Sequence, residues 1–270
     1  MSTEAPPPDR LARLVDVRPL GDDRFSIDVS ADIPDRIYGG MIAGWAVRAA
    51  QQTVAEGRPI HSLHASFVRA GRPDTPVTLE VQRDSDGKAF SARRVVATQD
   101  GRTLLSAICS FHEPEPESPV LDPLPAGLPD PATLAEGEFT GAPTVIDVRP
   151  VFPEGSDTAW AHLADHQWAR LLGTAPADPA AQDALLPFLA DLGTGWYFAK
   201  PEDTWVGPSL DLTVWFHRRT HTGRWHFLHL EPMAAAGGRS IYRGRVWNQD
   251  GTHVASLTQE SLLRKGPRPF

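Results

Sequence analysis

The sequence predicts an α+β fold in which an antiparallel sheet packs against a long helix, with this unit present twice in the chain. A small and apolar segment, residues 38–54, reads as a buried helix and is followed by several alternating strands. A second helix, which begins at Asp178, is followed by strands of the same kind. Short motifs also recur in the same order in both halves, which indicates a duplicated unit.

The first half is predicted to contain one helix and a run of hairpins. Its helix is apolar or small on almost every face, so we expect it to be buried, with Gly44 letting the sheet approach closely. Alternating apolar residues predict a strand pair over 14–29 and strands over 60–69, 77–83, 89–99 and 102–111. Asp86-Gly87 and Asp100-Gly101 are typical hairpin turns.

The second helix carries an unusual carboxylate. Asp178 and Pro179 form a typical helix start, and Gly193 favours a helix end. Asp191 then falls in the last turn, where the helix dipole disfavours a negative charge. Its predicted helical neighbours are largely apolar, which raises the pKa of a carboxylate and suits it to proton transfer. A solvated Asp191 at a helix end is the alternative.

Three pairs of motifs define the repeat. Val15-Asp-Val-Arg-Pro19 recurs as Ile146-Asp-Val-Arg-Pro150, Ser66-Phe-Val-Arg69 as Trp215-Phe-His-Arg218, and Gln99-Asp-Gly101 as Gln249-Asp-Gly251. A sheet wrapped around one central helix is the hotdog arrangement. We therefore expect a double hotdog: two antiparallel sheets, each wrapped around a central helix, forming an intrachain pseudo-dimer. The predicted boundaries are 1–113 for the first domain, 114–143 for a proline-rich extended linker and 144–270 for the second domain.

The two halves differ on their last strands. Gln259 shares a face with Ala255 and Leu257, so it should point toward the helix, whereas Cys109 takes the matching place in the first half. A buried glutamine needs hydrogen-bond partners, and Asp191 is a candidate beside backbone groups. Strict alternation points Ser209, at the start of an earlier strand, away from the core.

Composition excludes several function classes. The net charge of −8 and a pI near 5.7 disfavour binding to nucleic acid or to anionic membranes. No apolar run is long enough to span a bilayer, the first residues lack the features of a signal peptide, and one cysteine suits a reducing cytoplasm. Two histidine pairs, His162 with His166 and His226 with His229, lack the pattern of a metal site. We therefore expect no metal and no cofactor.

Several motifs carry a family resemblance. Tyr38-Gly-Gly-Met-Ile-Ala-Gly44, Phe90-Ser-Ala-Arg-Arg-Val95 and Val254-Ala-Ser-Leu-Thr-Gln-Glu260 resemble motifs of the acyl-CoA thioesterase II family, the double-hotdog enzymes of bacteria and peroxisomes. So does the strand from Ile60 to Gly71, which reads IHSLHASFVRAG. The resemblance implies hydrolysis of acyl-CoA to a free fatty acid and CoA, and association into a homodimer or a larger homo-oligomer.

The resemblance also implies site residues. The family's catalytic Asp, Thr and Gln fall on Asp191, Ser209 and Gln259, with serine in place of threonine. Asp191 would be a general base toward water, and a backbone N–H at the glycine-rich helix start would polarise the thioester carbonyl. The predicted substrate-binding residues are Gly39, Gly40, His61, Arg93, Arg94 and Arg239, the arginines as ligands of the CoA phosphates.

Other functions stay open at this point. The first alternative is a hotdog protein that binds or senses acyl-CoA without turnover. A covalent serine enzyme lacks a Gly-x-Ser-x-Gly motif, although His61 or His64 would serve as a base in place of Asp191. A hydratase ranks last, because the sequence has no Asp-x-x-x-x-His pair on the expected loop.

Overall fold

A computed structural model of the chain describes residues 10–29, 36–116, 122–137, 145–152, 165–193 and 204–266. The helices are α1 (Arg10–Leu14), α2 (Gly39–Gln51) and α3 (Pro179–Ala190), with a short 3-10 turn at Pro131–Thr133. The strands are β1 (Arg18–Gly21), β2 (Arg24–Ile27), β3 (Ile60–Phe67), β4 (Val77–Asp86), β5 (Phe90–Gln99), β6 (Arg102–His112), β7 (Ile146–Pro150), β8 (His166–Leu171), β9 (Thr204–Ser209), β10 (Asp211–Phe216), β11 (His226–Ala236), β12 (Arg239–Asn248) and β13 (His253–Lys265).

The strands form one sheet, which corrects the prediction of two. The order is β1-β2-β4-β5-β6-β3-β10-β13-β12-β11-β8-β7, and β9 pairs with β13 beside this path. The halves join where β3 and β10 pair antiparallel, from Ser66 opposite Asp211 to Ser62 opposite Trp215. Pairing these two strands satisfies backbone groups that two separate sheets would leave at exposed edges. Outward from this junction, corresponding strands follow in the same order on both sides.

The two long helices pack against each other on one side of the sheet. A Cβ at Gly44 would lie 2.4 Å from the carbonyl oxygen of Ala184, and one at Gly40 would lie 2.6 Å from that of Pro187. The missing side chain at Gly44 therefore allows helix α3 to approach α2 closely. The prediction that it would allow the sheet to approach is wrong. The contacts run antiparallel, so the amino-terminal end of α2 meets the carboxyl-terminal end of α3.

The predicted helices and hairpins are largely confirmed. Helix α2 and strands β3 to β6 lie where alternation and turns place them. Asp100 and Gly101 have φ of 49° and 71°, the positive values that a two-residue hairpin turn requires. At the start of the chain, α1 and a short turn replace the first part of the predicted strand, and β1 begins only at Arg18.

The described part of the proline-rich segment, residues 122–137, packs on the second half instead of extending freely. The indole N–H of Trp247 donates to the carbonyl of Asp122 at 2.8 Å, and that of Trp168 donates to the carbonyl of Pro129 at 3.1 Å. Leucines of this segment cover a cluster formed by Trp168, Phe227 and Trp247. Among the described residues, no helix has the length and hydropathy that crossing a membrane requires.

Candidate active site

The site forms where α3 ends. Asp178 caps the start of α3 by accepting from the N–H of Ala180 at 2.9 Å, and Gly193 ends the helix with φ of +87°. Asp191 is the C-cap residue and is buried. Its own helix presents a negative dipole end here, but the amino terminus of α2 faces it and presents a positive one.

Three hydrogen-bond donors surround the carboxylate of Asp191. The backbone N–H of Gly40 donates to Oδ2 at 2.7 Å, and Nε2 of Gln259 donates to Oδ1. The hydroxyl of Ser209 also hydrogen-bonds the carboxylate. The donors come from α2, β13 and β9, so the structure brings together the three residues predicted as catalytic and one of the two predicted glycines.

Ser209 reaches the site because the strand register changes. Continuing the pairing of β10 with β13 would place Ser209 opposite Leu262, but Ser209 lies opposite Ser261. The chain bends at Leu210 between β9 and β10. Since a shift of one residue reverses the face to which side chains point, Ser209 lies on the side of Gln259 and buried Ser261, against the orientation predicted from alternation.

Burial dominates the electrostatics of the site. Desolvation raises the pKa of Asp191 to about 6, although the hydrogen bonds from Gln259, Gly40 and Ser209 act to lower it. A carboxyl with this pKa is largely ionised at neutral pH and still accepts a proton readily.

Neutral side chains hold the carbonyl groups at the end of α3. The hydroxyl of Tyr38 donates to the carbonyl of Phe188 at 3.1 Å, and Nε2 of Gln167 donates to that of Leu192 at 3.2 Å. The hydroxyl of Tyr242 lies 3.1 Å from the carbonyl oxygen of Gly193 and also donates to Oε1 of Gln259. Tyr242 was not among the predicted site residues, although a core-facing tyrosine on the strand before Gln259 signals a buried polar contact.

Two family models match the chain. They are the acyl-CoA thioesterase N-terminal domain, over residues 29–112, and the acyl-CoA thioesterase C-terminal domain, over residues 116–263. The chain belongs to the acyl-CoA thioesterase family. Its activity is the hydrolysis of acyl-CoA thioesters, as the resemblance implied.

Relatives of this thioesterase cover nearly its whole length. Acyl-coenzyme A thioesterase 8 of Homo sapiens is 29% identical over 97% of this chain and 92% of the human protein. The crystal structure of an acyl-CoA thioesterase II from Mycobacterium marinum is 29% identical, with a TM-score of 0.78 over 97% of this chain and 99% of that one. A hot dog fold protein from Alicyclobacillus acidocaldarius is 18% identical, with a TM-score of 0.78 over 96% of this chain and 99% of that one. The thioesterase thus has a hotdog fold.

Arg93 lies in the core of the thioesterase, not in a phosphate site. Its side chain is 1% exposed. All five of its N–H donors have protein acceptors: the hydroxyl and carbonyl of Thr53, the carbonyls of Ser85 and Ala92, and the carboxylate of Asp86. The prediction that Arg93 binds the CoA phosphates is therefore wrong, because no donor remains for a ligand.

The other predicted substrate-binding side chains lie on the outer face of the sheet. His61 hydrogen-bonds the hydroxyl of Ser110 at 2.7 Å and contacts exposed Phe90, so it is not part of the network around Asp191. Arg94 and Arg239 are about half exposed, with side-chain accessibilities of 49% and 50%, and pair with acidic residues of their own hairpins.

The prediction that the chain has no metal site was based on two pairs of histidines. His162 lies outside the described residues. His226 is buried, whereas the ring of His229 packs against that of His166 with centroids 4.2 Å apart, so His226 and His229 face opposite sides of β11. Within the described parts of the chain, no three His, Cys, Asp or Glu side chains are grouped as metal ligands.

Proposed function

We propose that the thioesterase uses Asp191 as a general base that activates a water molecule for attack on the thioester carbonyl. The observation that supports this most strongly is the buried carboxylate held by donors from Gly40, Ser209 and Gln259. A carboxylate has about four acceptor positions. Three are used by these donors, which leaves one for a proton of water.

The proposed reaction conserves protons and electron pairs. The water oxygen bonds to the carbonyl carbon while one of its protons passes to Asp191. The carbon–sulfur bond then breaks, the electron pair stays on sulfur, and the proton held by Asp191 is available to the departing thiolate. The products are a free acid and CoA, and Asp191 returns to its ionised form. Ser209 and Gln259 hold the carboxylate, and in this proposal they also orient the water.

The thioester oxygen needs a separate donor, and we assign this role to Gly39. The N–H of Gly40 donates to Asp191 and does not remain for the substrate, which changes the predicted shared role of the two glycines. Gly39 is the first residue of α2, where N–H groups have no acceptor within the helix. Such an N–H stabilises the negative charge that develops on a carbonyl oxygen.

Arg94 and Arg239 remain the proposed ligands of the CoA phosphates. Both guanidinium groups are about half exposed, and their carboxylate partners are surface groups that a phosphate can replace. The acyl chain is a fatty acyl group in this proposal.

The organisation of the molecule is also part of the proposal. We assign residues 1–113 and 144–270 to two hotdog units, related as a pseudo-dimer, with 114–143 between them; the mirrored strand order supports this. Exposed Phe90, Ile108 and Trp215 on the outer face support a homodimer or larger homo-oligomer. A single, buried cysteine is in keeping with a cytoplasmic location.

Thiol release from acyl-CoA esters of short to long chain length tests the proposal. Asp191→Asn should lower kcat by about 100-fold or more, because a general base contributes about 10²- to 10⁴-fold. Asp183→Asn is the matched control, since Asp183 is also a buried aspartate of α3 but lies outside the network. The kcat of the folded Asp183→Asn enzyme should stay within about threefold of the wild type, because Asp183 is hydrogen-bonded to Arg219 and takes no part in the network around Asp191.

Two results would overturn the assignment. Asp191→Asn with a kcat close to that of the wild type would exclude Asp191 as the base. Failure of the wild type to release thiol, while acyl-CoA still raises its Tm, would favour the binding protein instead.

A further inference from the structure

Tyr242 is a buried residue of β12 that the proposed mechanism does not use. Its side chain is 0% exposed. Its hydroxyl donates to Oε1 of Gln259, and the carbonyl oxygen of Gly193 is the second acceptor within reach. Tyr242 and Gln259 lie directly opposite each other in the antiparallel pair of β12 and β13. The contact therefore follows from the strand register and needs no long side chain to reach across the core.

The orientation of the Gln259 amide decides what it offers to Asp191. One end of a glutamine amide accepts hydrogen bonds and the other donates. With Oε1 held by the hydroxyl of Tyr242, Nε2 faces the carboxylate and donates to it. The reverse orientation would place Oε1 against an ionised carboxylate, where two acceptors repel.

We propose that Tyr242 is a positioning residue for thioester hydrolysis, holding the amide of Gln259 in the orientation that donates to Asp191. This inference rests on the proposed role of Asp191. It predicts that Tyr242 acts only through Gln259, without touching the substrate.

The first half supports this through the residue in the matching place. Cys109 corresponds to Gln259 in the repeat, and its cross-strand partner is Arg93. Arg93 donates to the carbonyl of Thr53, just beyond the end of α2. In the same way, the hydroxyl of Tyr242 lies within hydrogen-bond distance of the carbonyl of Gly193, just beyond the end of α3. The half without the carboxylate thus has a structural arginine at this place. The half with it has a tyrosine, which donates a hydrogen bond without adding a charge that would make Asp191 a weaker base.

The hydroxyl of Tyr242 keeps its proton at neutral pH. Burial and the negative charges of Asp191, Asp165 and Asp211 raise the pKa of Tyr242 well above its usual value. Tyr38, on the α2 side of the site, has its pKa raised in the same way by burial and by Asp191. Tyr242 and Tyr38 are therefore both neutral hydrogen-bond donors at neutral pH.

The first test is the variant Tyr242→Phe, which removes one oxygen atom and keeps the ring. We expect kcat to fall about tenfold, the effect of losing one well-placed hydrogen bond, with KM unchanged. The acidic limb of the kcat/KM profile should move to higher pH, because a weaker donation from Gln259 leaves Asp191 easier to protonate. Tyr38→Phe is the matched control: it removes a buried hydroxyl bonded to Phe188, so its acidic limb should keep the wild-type position.

A double-mutant cycle with Gln259→Ala tests whether Tyr242 acts through Gln259. In the Gln259→Ala background, Tyr242→Phe should change kcat by less than about twofold, since the side chain it positions is gone. Additive effects would overturn the inference, and so would a Tyr242→Phe enzyme with wild-type kcat and pH profile. An equal loss in Tyr38→Phe and Tyr242→Phe without a shifted limb would also overturn it, by showing a purely structural role.

Asp191→Asn, measured alongside, separates this inference from the proposed mechanism. If Asp191→Asn is inactive and Tyr242→Phe behaves like the wild type, only the role of Tyr242 is wrong. If Asp191→Asn is active, the mechanism itself is wrong.

Discussion

At the scale of single residues, the site depends on one carboxylate in an environment with opposing effects. Burial makes ionised Asp191 costly, and three hydrogen bonds recover part of that cost. The balance keeps the carboxyl ionised near neutral pH and basic enough to take a proton. A surface aspartate, with a pKa near 3.9, would be a much weaker base.

Substitution of Ser209 is the mildest way to change the balance between burial and hydrogen bonding at Asp191. Ser209→Ala removes one donor to the carboxylate, so kcat should fall about tenfold and the pKa of Asp191 should rise further. Ser209→Thr keeps the hydroxyl and adds a methyl group that restricts its rotamers, so kcat should stay within about threefold of the wild type. Steady-state thiol release at pH 5 to 8 measures both. Equal activity of the alanine variant and the wild type would remove Ser209 from the network.

At the scale of elements, the site exists because two helices pack antiparallel at a short distance. Glycines on α2 let the backbone of α3 approach, and the same approach brings the N–H of Gly40 to Asp191. The Arg48–Asp178 ion pair, at 2.8 Å, joins the other ends of the same two helices. Helix packing and the geometry of the carboxylate are therefore linked.

Gly44→Ala tests this packing. The added Cβ would lie 2.4 Å from the carbonyl of Ala184, a backbone atom that cannot move aside cheaply. Overpacking costs about 1–3 kcal/mol, and a backbone contact this close favours the upper part of that range, about 2–3 kcal/mol, against a gain of about 1 kcal/mol in helix propensity. We expect a net loss of unfolding free energy in urea of about 1–2 kcal/mol, and a lower kcat as α2 shifts from Asp191.

Gly87→Ala is the matched control for this substitution. Its Cβ would meet only the carbonyl of Phe90, at 3.4 Å, in an exposed turn. Its unfolding free energy should stay within about 0.5 kcal/mol of the wild type. Equal stability of both alanine variants would mean that the helices do not need the glycine.

The elements could be predicted from the sequence better than their assembly. Alternation and caps located the helices, the hairpins and the core face of Gln259, because these depend on neighbouring residues. The face of Ser209 depends on a bend at Leu210 that shifts the register by one residue, and no local pattern encodes it. Tyr242 was missed because its role comes from its cross-strand partner.

At the scale of the whole molecule, the two halves are parts of one site and one sheet. Gly40 comes from the first half, and Asp191, Ser209 and Gln259 come from the second. The motifs that recur in both halves of the sequence predicted the duplication. They contain no information on which strands meet, so the single sheet formed through β3 and β10 could not be foreseen.

A second buried carboxylate makes the stability of the molecule depend on pH. Burial raises the pKa of Asp183 to about 7, although the nearby Arg219 acts to lower it. The pKa of Asp183 in the folded state lies above its value in the unfolded state. Proton binding to this carboxyl therefore stabilises the fold fully below about pH 4, and this contribution is lost as the pH rises through 7. Asp183→Asn cannot ionise, so its Tm relative to the wild type should rise between pH 5 and pH 8. Thermal unfolding at both pH values checks this, and an unchanged Tm difference would contradict it.

The most direct test of the catalytic role of Asp191 is the pH dependence of kcat/KM for the wild type and Asp191→Asn between pH 4.5 and 8. The wild type should rise through an apparent pKa of about 6 to a plateau, because only the ionised carboxylate accepts a proton from water. Asp191→Asn should lie about 100-fold or more below that plateau and show no such rise. An asparagine variant that keeps the same rise and a plateau close to that of the wild type would show that another group is the base.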